Sequence, residues 1–215
     1  MITDERIVSY IHSLEQPNNP ILAEMERYAH ENDVPIIRKE MESFLKTMLE
    51  IKRPERVLEL GTAIGYSAIL MSESLGEEAV IDTIENYDKR IALAKENIVK
   101  AGKSDMINIH EGDALEVMKN LKGPYDFVFM DAAKAQYVNF LPPVLSLMKK
   151  GSILITDNVL QEGDITESRF VVERRDRTIH SRMREYLHMV KNHEQLTTTI
   201  IPIGDGITVS VKITD

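Results

Sequence analysis

The 215-residue sequence predicts an α/β fold, a Rossmann-like, doubly wound, mostly parallel seven-stranded sheet with N-terminal helices and a C-terminal antiparallel hairpin. Three observations predict it. Five short β-rich runs between Arg56 and Asp157 alternate with amphipathic stretches, the first fifty residues show only helical spacing, and the chain ends in two β-branched runs around Gly204-Asp205-Gly206. Alternating strand and helix units build a parallel sheet covered by helices on both faces. The terminal pair reads as a hairpin closing the sheet edge.

Each element follows from its own pattern. Residues 1–52 form a helical preface and 53–215 the core of one domain. In the preface, Ile37, Met41, Phe44, Leu45 and Met48 recur at spacings of three and four, which puts them on one helical face, while Pro17, Pro20 and Pro35 punctuate the earlier pieces. The strands are RVLEL, AVIDTIE, MINIH, YDFVFM and GSILITD, with helices near 65–75, 87–102, 113–121 and 134–149. Between Asn158 and Thr178 no period is convincing, and a helix is expected near 179–192. Loops of that length are usually functional or disordered.

Composition sets the class. With 43% hydrophobic and 28% charged residues the chain is an ordinary globular protein, and the absence of cysteine rules out disulfides and thiolate metal sites. The start carries acids where a signal peptide needs a basic and then an apolar region, so a cytoplasmic protein with no membrane association is expected. The net charge of -9 is unevenly spread: Arg169 to Arg184 holds six of the twelve arginines against Glu173 and Asp176, a local balance of +4 that leaves -13 elsewhere. Such a run is commonly just a solvated face. It is also the one basic surface through which so acidic a chain could approach RNA.

Ligands of open α/β sheets bind beyond the carboxyl ends of the strands, where strand order reverses. The residues there are Glu59, Glu85, Asp113, Asp131 and Asp157. The turn GTAIG lacks the three-glycine pattern that brings a helix against a pyrophosphate, and strand-end acids would repel phosphates, so a nicotinamide-dependent oxidoreductase is disfavoured. A cationic, phosphate-free nucleoside suits the site better. Glu85, twenty-four residues after Gly61, is placed to accept hydrogen bonds from ribose hydroxyls, or is an ordinary acid at a helix start.

In order, ELGTAIGYSA, TIE, GDA at 112–114, YDFVFMDAAKAQY and ITDN resemble the cation-dependent O-methyltransferases of the catechol and caffeoyl-coenzyme A type. The resemblance implies S-adenosylmethionine as cofactor and a divalent metal such as Mg²⁺. It implies that Glu59 and Gly61 face the methionine part, that Ser67 contacts its carboxylate, that Glu85 holds the ribose and that Asp113 and Ala114 border the adenine. Ile37 matches a less specific cofactor contact and reads equally as core, and Ser67 reads equally as a first-turn serine satisfied by its own backbone. A homodimer is expected.

DAAK and ITDN supply Asp131, Lys134, Asp157 and Asn158. Two carboxylates and an amide oxygen make a hard, oxygen-only site with open positions, although strand-to-helix turns also use such residues as caps. Asp131 is expected to lie between the metal and the cofactor. The histidines form no tight motif and do not compete as ligands. Lys134 is the candidate general base, with a counter-ion for the acids as its plainer role; a lysine must shed its own proton to accept another, which a neighbouring cation would favour.

Two substrates with adjacent oxygens fit this chemistry: a catechol-like small molecule, or a transfer-RNA uridine with a hydroxyl at carbon 5 beside the carbonyl at carbon 4. VPII, TAIGYSAI, DAAKAQY, ITDNVL and IIPIGDG also resemble the bacterial transfer-RNA 5-hydroxyuridine methyltransferases, which favours RNA, with Arg174, Arg175 and Arg177 as phosphate contacts. Leu187 departs from relatives that carry Asn there, and only 6% of residues are aromatic, so base stacking would be sparse. A noncatalytic RNA-binding module would leave DAAK and ITDN idle.

Overall fold

The computed structural model describes residues 2–215. The preface forms three helices, α1 (Glu5–Leu14), α2 (Pro20–Glu31) and α3 (Lys39–Lys52). The start of α2 is set by Asn19, whose side chain accepts from the Leu22 amide, followed by a proline in the first turn. The expected apolar face of α3 is partly corrected. Met41 and Leu45 are buried, Phe44 and Met48 only half-buried, and Ile37 precedes the helix; Leu49 and the charged Glu42 complete its buried side.

The core runs β1 (Arg56–Leu60), α4 (Tyr66–Ser72), β2 (Val80–Glu85), α5 (Asp88–Lys100), β3 (Ile107–Glu111), α6 (Ala114–Met118), β4 (Tyr125–Met130), α7 (Tyr137–Ser146) and β5 (Met148–Thr156). All five expected strands form. β5 starts three residues early because Lys149 to Gly151 are exposed and hide its period, and the ladder to β4 is irregular between Tyr125 and Phe127. A 3₁₀ turn (Lys134–Gln136) precedes α7. The stretch without a period contains another 3₁₀ segment, Gln161–Thr166, before α8 (Arg177–Lys191). β6 (Leu196–Ile201) and β7 (Ile207–Lys212) form the hairpin, with β7 lying antiparallel between β5 and β6.

The sheet order is β3-β2-β1-β4-β5-β7-β6, parallel from β3 to β5. Strand order therefore reverses between β1 and β4. Along each strand the side chains alternate between two cores: Val57, Ile81, Phe127, Phe129, Ile153 and Ile155 pack with α2, α3 and α4, whereas Leu58, Leu60, Val128, Met130 and Leu154 pack with α7 and α8. Burying each such side chain contributes roughly 1.5–3 kcal/mol, and the two layers fix the strand ends relative to one another. Among the described residues no helix is long and apolar enough to cross a membrane.

Candidate active site

A cavity of about 790 Å³ opens at the carboxyl ends of β1, β2, β4 and β5. It straddles the reversal point, where open α/β sheets bind ligands. Ile37, Gly61, Ser67, Glu85, Asp113, Ala114, Asp131, Lys134, Asp157 and Asn158 all line it. The fold thus gathers residues from 121 positions of sequence onto one wall.

One end is built on the glycine turn. Gly61 has φ +104°, and a Cβ there would stand 2.2 Å from the Asp131 carbonyl oxygen, so only glycine lets β1 and β4 approach this closely. Glu85 accepts from the amides of Ala63 at 2.9 Å, Asn86 at 3.0 Å and Tyr87 at 3.1 Å. Three of its roughly four acceptor positions are therefore filled by backbone, which pins the turn to β2 and leaves room for an outside donor. Asp113 caps α6 through the Leu115 and Glu116 amides while facing the cavity. Each of these acids thus serves the backbone and also lines the cavity.

Glu59 is not on the wall. It is fully buried beneath it, accepting hydrogen bonds from Ser67 Oγ and, at 2.5 Å, Thr83 Oγ1. Burial pushes its carboxyl up to about 7, with the Ser67 and Thr83 hydroxyls acting in the opposite direction. Ser67 is thus satisfied by Glu59 rather than by its own backbone, and Glu59 reaches the cavity through it. Tyr66 is nearly buried yet reaches polar partners: its hydroxyl donates to Glu42 at 2.6 Å and receives from Asn18 at 2.9 Å, tying α4 to the preface.

The other end is electrostatically different. Asp131 and Asp157 close β4 and β5, the neighbouring strands of the ladder. Burial raises both carboxyls above their ordinary range; for Asp157 the charge of Asp131 adds to this, while the Asn158 amide, at 2.6 Å, and Lys134 oppose it. Asp157 is buried and Asp131 half-buried, an acid pair that could hold a cation. No group of three His, Asp or Glu side chains suited to a metal occurs among the described residues, so a third protein donor has to be neutral. Asn158 fits, since its backbone adopts φ +59°, a conformation that asparagine tolerates, and it lines the cavity. The donor set suits a hard, oxygen-loving divalent ion.

Lys134 lines the same end, with its Nζ 3.7 Å from Asp205 Oδ2. Sequence reasoning missed Asp205, which it treated only as the hairpin turn. An acid between two glycines was the available signal. Asp205 is buried, its carboxylate accepts the Glu162 amide, and its carbonyl accepts the Leu160 amide at 2.9 Å. A Cβ on Gly206 would meet Leu160 Cγ at 2.3 Å, so the turn is moulded onto the segment after β5. That segment carries Glu162, which pairs with Arg38 of the preface at 2.9 Å; both line the cavity and both went unnoticed in the sequence.

The arginine-rich stretch does not reach the cavity. Arg175 pairs with Glu173 at 3.0 Å and Asp176 at 3.3 Å, Arg177 donates to the carbonyls of Val172 and Phe170, and Arg174 is exposed. Two of the three expected phosphate contacts are thus engaged within their own segment. Arg182 lies 3.9 Å from Glu185, whereas Arg184 donates to the Ile165 and Glu167 carbonyls. Leu187 packs against the α7–α8 core and offers no ligand.

This combination of doubly wound sheet, glycine turn and acid-lined cavity matches known proteins. A family model described as O-methyltransferase matches residues 11–213. The chain belongs to this family and is an S-adenosylmethionine-dependent O-methyltransferase. It is 30% identical over 197 residues to the tapetum-specific methyltransferase 1 of Arabidopsis thaliana, covering 89% of this chain and 83% of that one. It is 32% identical over 128 residues to a catechol O-methyltransferase of Niastella koreensis, an alignment spanning 58% of each chain. Among solved structures, TomG of Streptomyces achromogenes, an O-methyltransferase of tomaymycin synthesis crystallised with S-adenosylmethionine, superposes with a TM-score of 0.86 at 25% identity, covering 99% of this chain and all of that one.

Proposed function

We propose that the protein methylates one oxygen of a vicinal-oxygen pair on a small, catechol-like molecule, with a divalent cation held by Asp131, Asp157 and Asn158. The observation that carries this reading is the acid pair beside Lys134, Asp157 buried and Asp131 half-buried, in the same cavity as the glycine turn and Glu85. Names of relatives, the catechol enzyme above all, support a small substrate. Glu85 would hold the ribose of the cofactor, Asp113 and Ala114 its adenine, and Gly61 with Ser67 its methionine part, with Ile37 packing at the rim. Asp131, Asp157 and Asn158 would hold the cation, whose Lewis acidity would lower the pKa of the reacting hydroxyl. Lys134 would accept that proton, the carbon–oxygen bond would form as the sulfur–methyl bond breaks, and S-adenosylhomocysteine would leave. In the resting chain Asp205 holds the Lys134 ammonium, so turnover requires that proton to be released to solvent first.

A second reading keeps the chemistry and changes the substrate to the 5-hydroxyuridine of a transfer RNA. Its support is the exposed surface around Arg174, where Phe170 is 83% exposed and could stack on a base. The test is methyl transfer from labelled cofactor to catechol and to transfer RNA bearing 5-hydroxyuridine, with Mg²⁺ or chelator, in wild type and the Arg174→Ala, Arg175→Ala, Arg177→Ala variant. Chelator-sensitive methylation of catechol alone supports the first reading. Methylation of RNA that fails in the triple variant while catechol turnover persists supports the second. Transfer to neither would overturn both.

A further inference from the structure

Three cations line the cavity. Arg90, at the start of α5, lies over the Tyr87 ring, 5.7 Å from its centroid, and Lys134 faces Asp205. Arg38 differs from both. Its guanidinium reaches across from the preface to Glu162, the one carboxylate of the lining to which neither cofactor, cation nor Lys134 gives a role. The pair is open to water, with side chains 37% and 62% exposed. Ion pairs so exposed contribute little to stability and exchange partners readily.

The surroundings hold this open pair in place. Glu162 has φ +53° and follows Gln161 at φ +48°, conformations that non-glycine residues adopt only where the environment enforces them. Here the enforcement comes from Asp205, whose carboxylate accepts the Glu162 amide. On the other side, the Arg38 stem lies against the hairpin turn, with its Cδ 3.5 Å from where a Gly204 Cβ would stand. A continuous chain therefore runs from Lys134 to Asp205, on to Glu162, and from there to Arg38. Lys134 and Arg38 are thus joined through two intervening residues, and both line the one cavity.

We infer that Arg38 is a specificity-determining residue: its guanidinium takes an anionic substituent, carboxylate or phosphate, on the side of the substrate away from the reacting oxygens, and Glu162 is the counter-ion that this substituent displaces. The inference rests on the vicinal-oxygen reading above. It adds that a substrate carrying a negative charge is preferred over its neutral parent. Guanidinium binds both anions through paired N–H donors, which an ammonium cannot reproduce.

Two probe pairs test it by calorimetry in the presence of S-adenosylhomocysteine and Mg²⁺: catechol against 3,4-dihydroxybenzoate for a carboxylate, and 5-hydroxyuridine against its 5′-monophosphate for a phosphate. Wild type should prefer the charged member of at least one pair by about tenfold, the size of a partly exposed charge-assisted hydrogen bond. Which pair shows it identifies the anion. Arg38→Ala should bring that preference close to one, Arg38→Lys should keep part of it, and Glu162→Gln should increase it by removing the competitor. Intrinsic differences in chelation are common to all variants and cancel in the comparison. An unchanged preference in Arg38→Ala, or none in wild type, overturns the assignment while leaving the vicinal-oxygen reading intact. Failure of all four probes to bind overturns both.

Discussion

The two ends of the cavity use the same residue type to opposite effect. At the glycine turn, Glu85 accepts three backbone amides and Asp113 two, so these acids are satisfied by the fold before any ligand arrives. Where β4 and β5 end, half-buried Asp131 and buried Asp157 lie near one another and both are driven towards their protonated forms. The difference lies in where the stabilising positive charge comes from. Backbone amides make a rigid hydrogen-bonding surface that asks only for hydroxyl donors, whereas an acid pair short of donors asks for a cation from outside.

The comparison breaks most sharply at the acid pair. Mg²⁺ should raise the melting temperature of wild type, and Asp157→Ala combined with Asn158→Ala should abolish both that rise and turnover; a double variant that still transfers methyl at the normal rate sinks the cation seat. For Lys134→Ala the expected loss in kcat is about 10²–10⁴, the usual scale of general acid–base catalysis, with cofactor affinity nearly intact. A wild-type rate and pH profile in that variant would leave Lys134 as a counter-ion of Asp205. At the opposite end, Glu85→Ala should weaken cofactor binding by about 1.5–3 kcal/mol, the typical loss when a charged acceptor is removed, with Glu85→Gln in between. Calorimetry with S-adenosylhomocysteine reads this directly, and unchanged affinity removes Glu85 from the site.

The last effect, on stability and not on turnover, concerns Glu59, which belongs to neither end. Its carboxyl sits at about 7 in the fold against 4.5 for the ordinary group. The folded state therefore holds the proton more tightly. Stability from that proton is full below pH 4.5 and is lost as pH rises through about 7, by roughly 3 kcal/mol at most. Glu59→Gln should lose less melting temperature than wild type between pH 5 and 8; parallel curves would show that Glu59 ionises without penalty.

Much of this was legible in the sequence, for a physical reason. A central parallel strand reads as a short, nearly continuous apolar run that stops at its end, so reading RVLEL or YDFVFM as a strand also locates Gly61 or Asp131 at the cavity. The residues that escaped are held by contacts with distant segments. Arg38 and Glu162 are 124 positions apart, and Asp205 reaches its partners from a hairpin that looks merely like a turn. Glu59 shows the limit of the strand-end rule itself: one residue before the last of β1, its side chain goes beneath the wall instead of onto it. The arginines were legible as charge and not as geometry, because nothing in their spacing told that Arg177 would bond the carbonyls of its own loop.

The 2.2 Å that separates an imagined Gly61 Cβ from the Asp131 carbonyl has a consequence for how such an enzyme can change. Donor platform and acceptor platform share one floor, with no slack in which a new side chain could be tried without moving both. Variation in substrate range is thereby directed to the parapet around that floor: the preface near Arg38, the segment from 159 to 178, and the hairpin tip. An engineer seeking a different substrate should leave the floor untouched and vary the side chains of those three borders, where the transfer distance is not at stake.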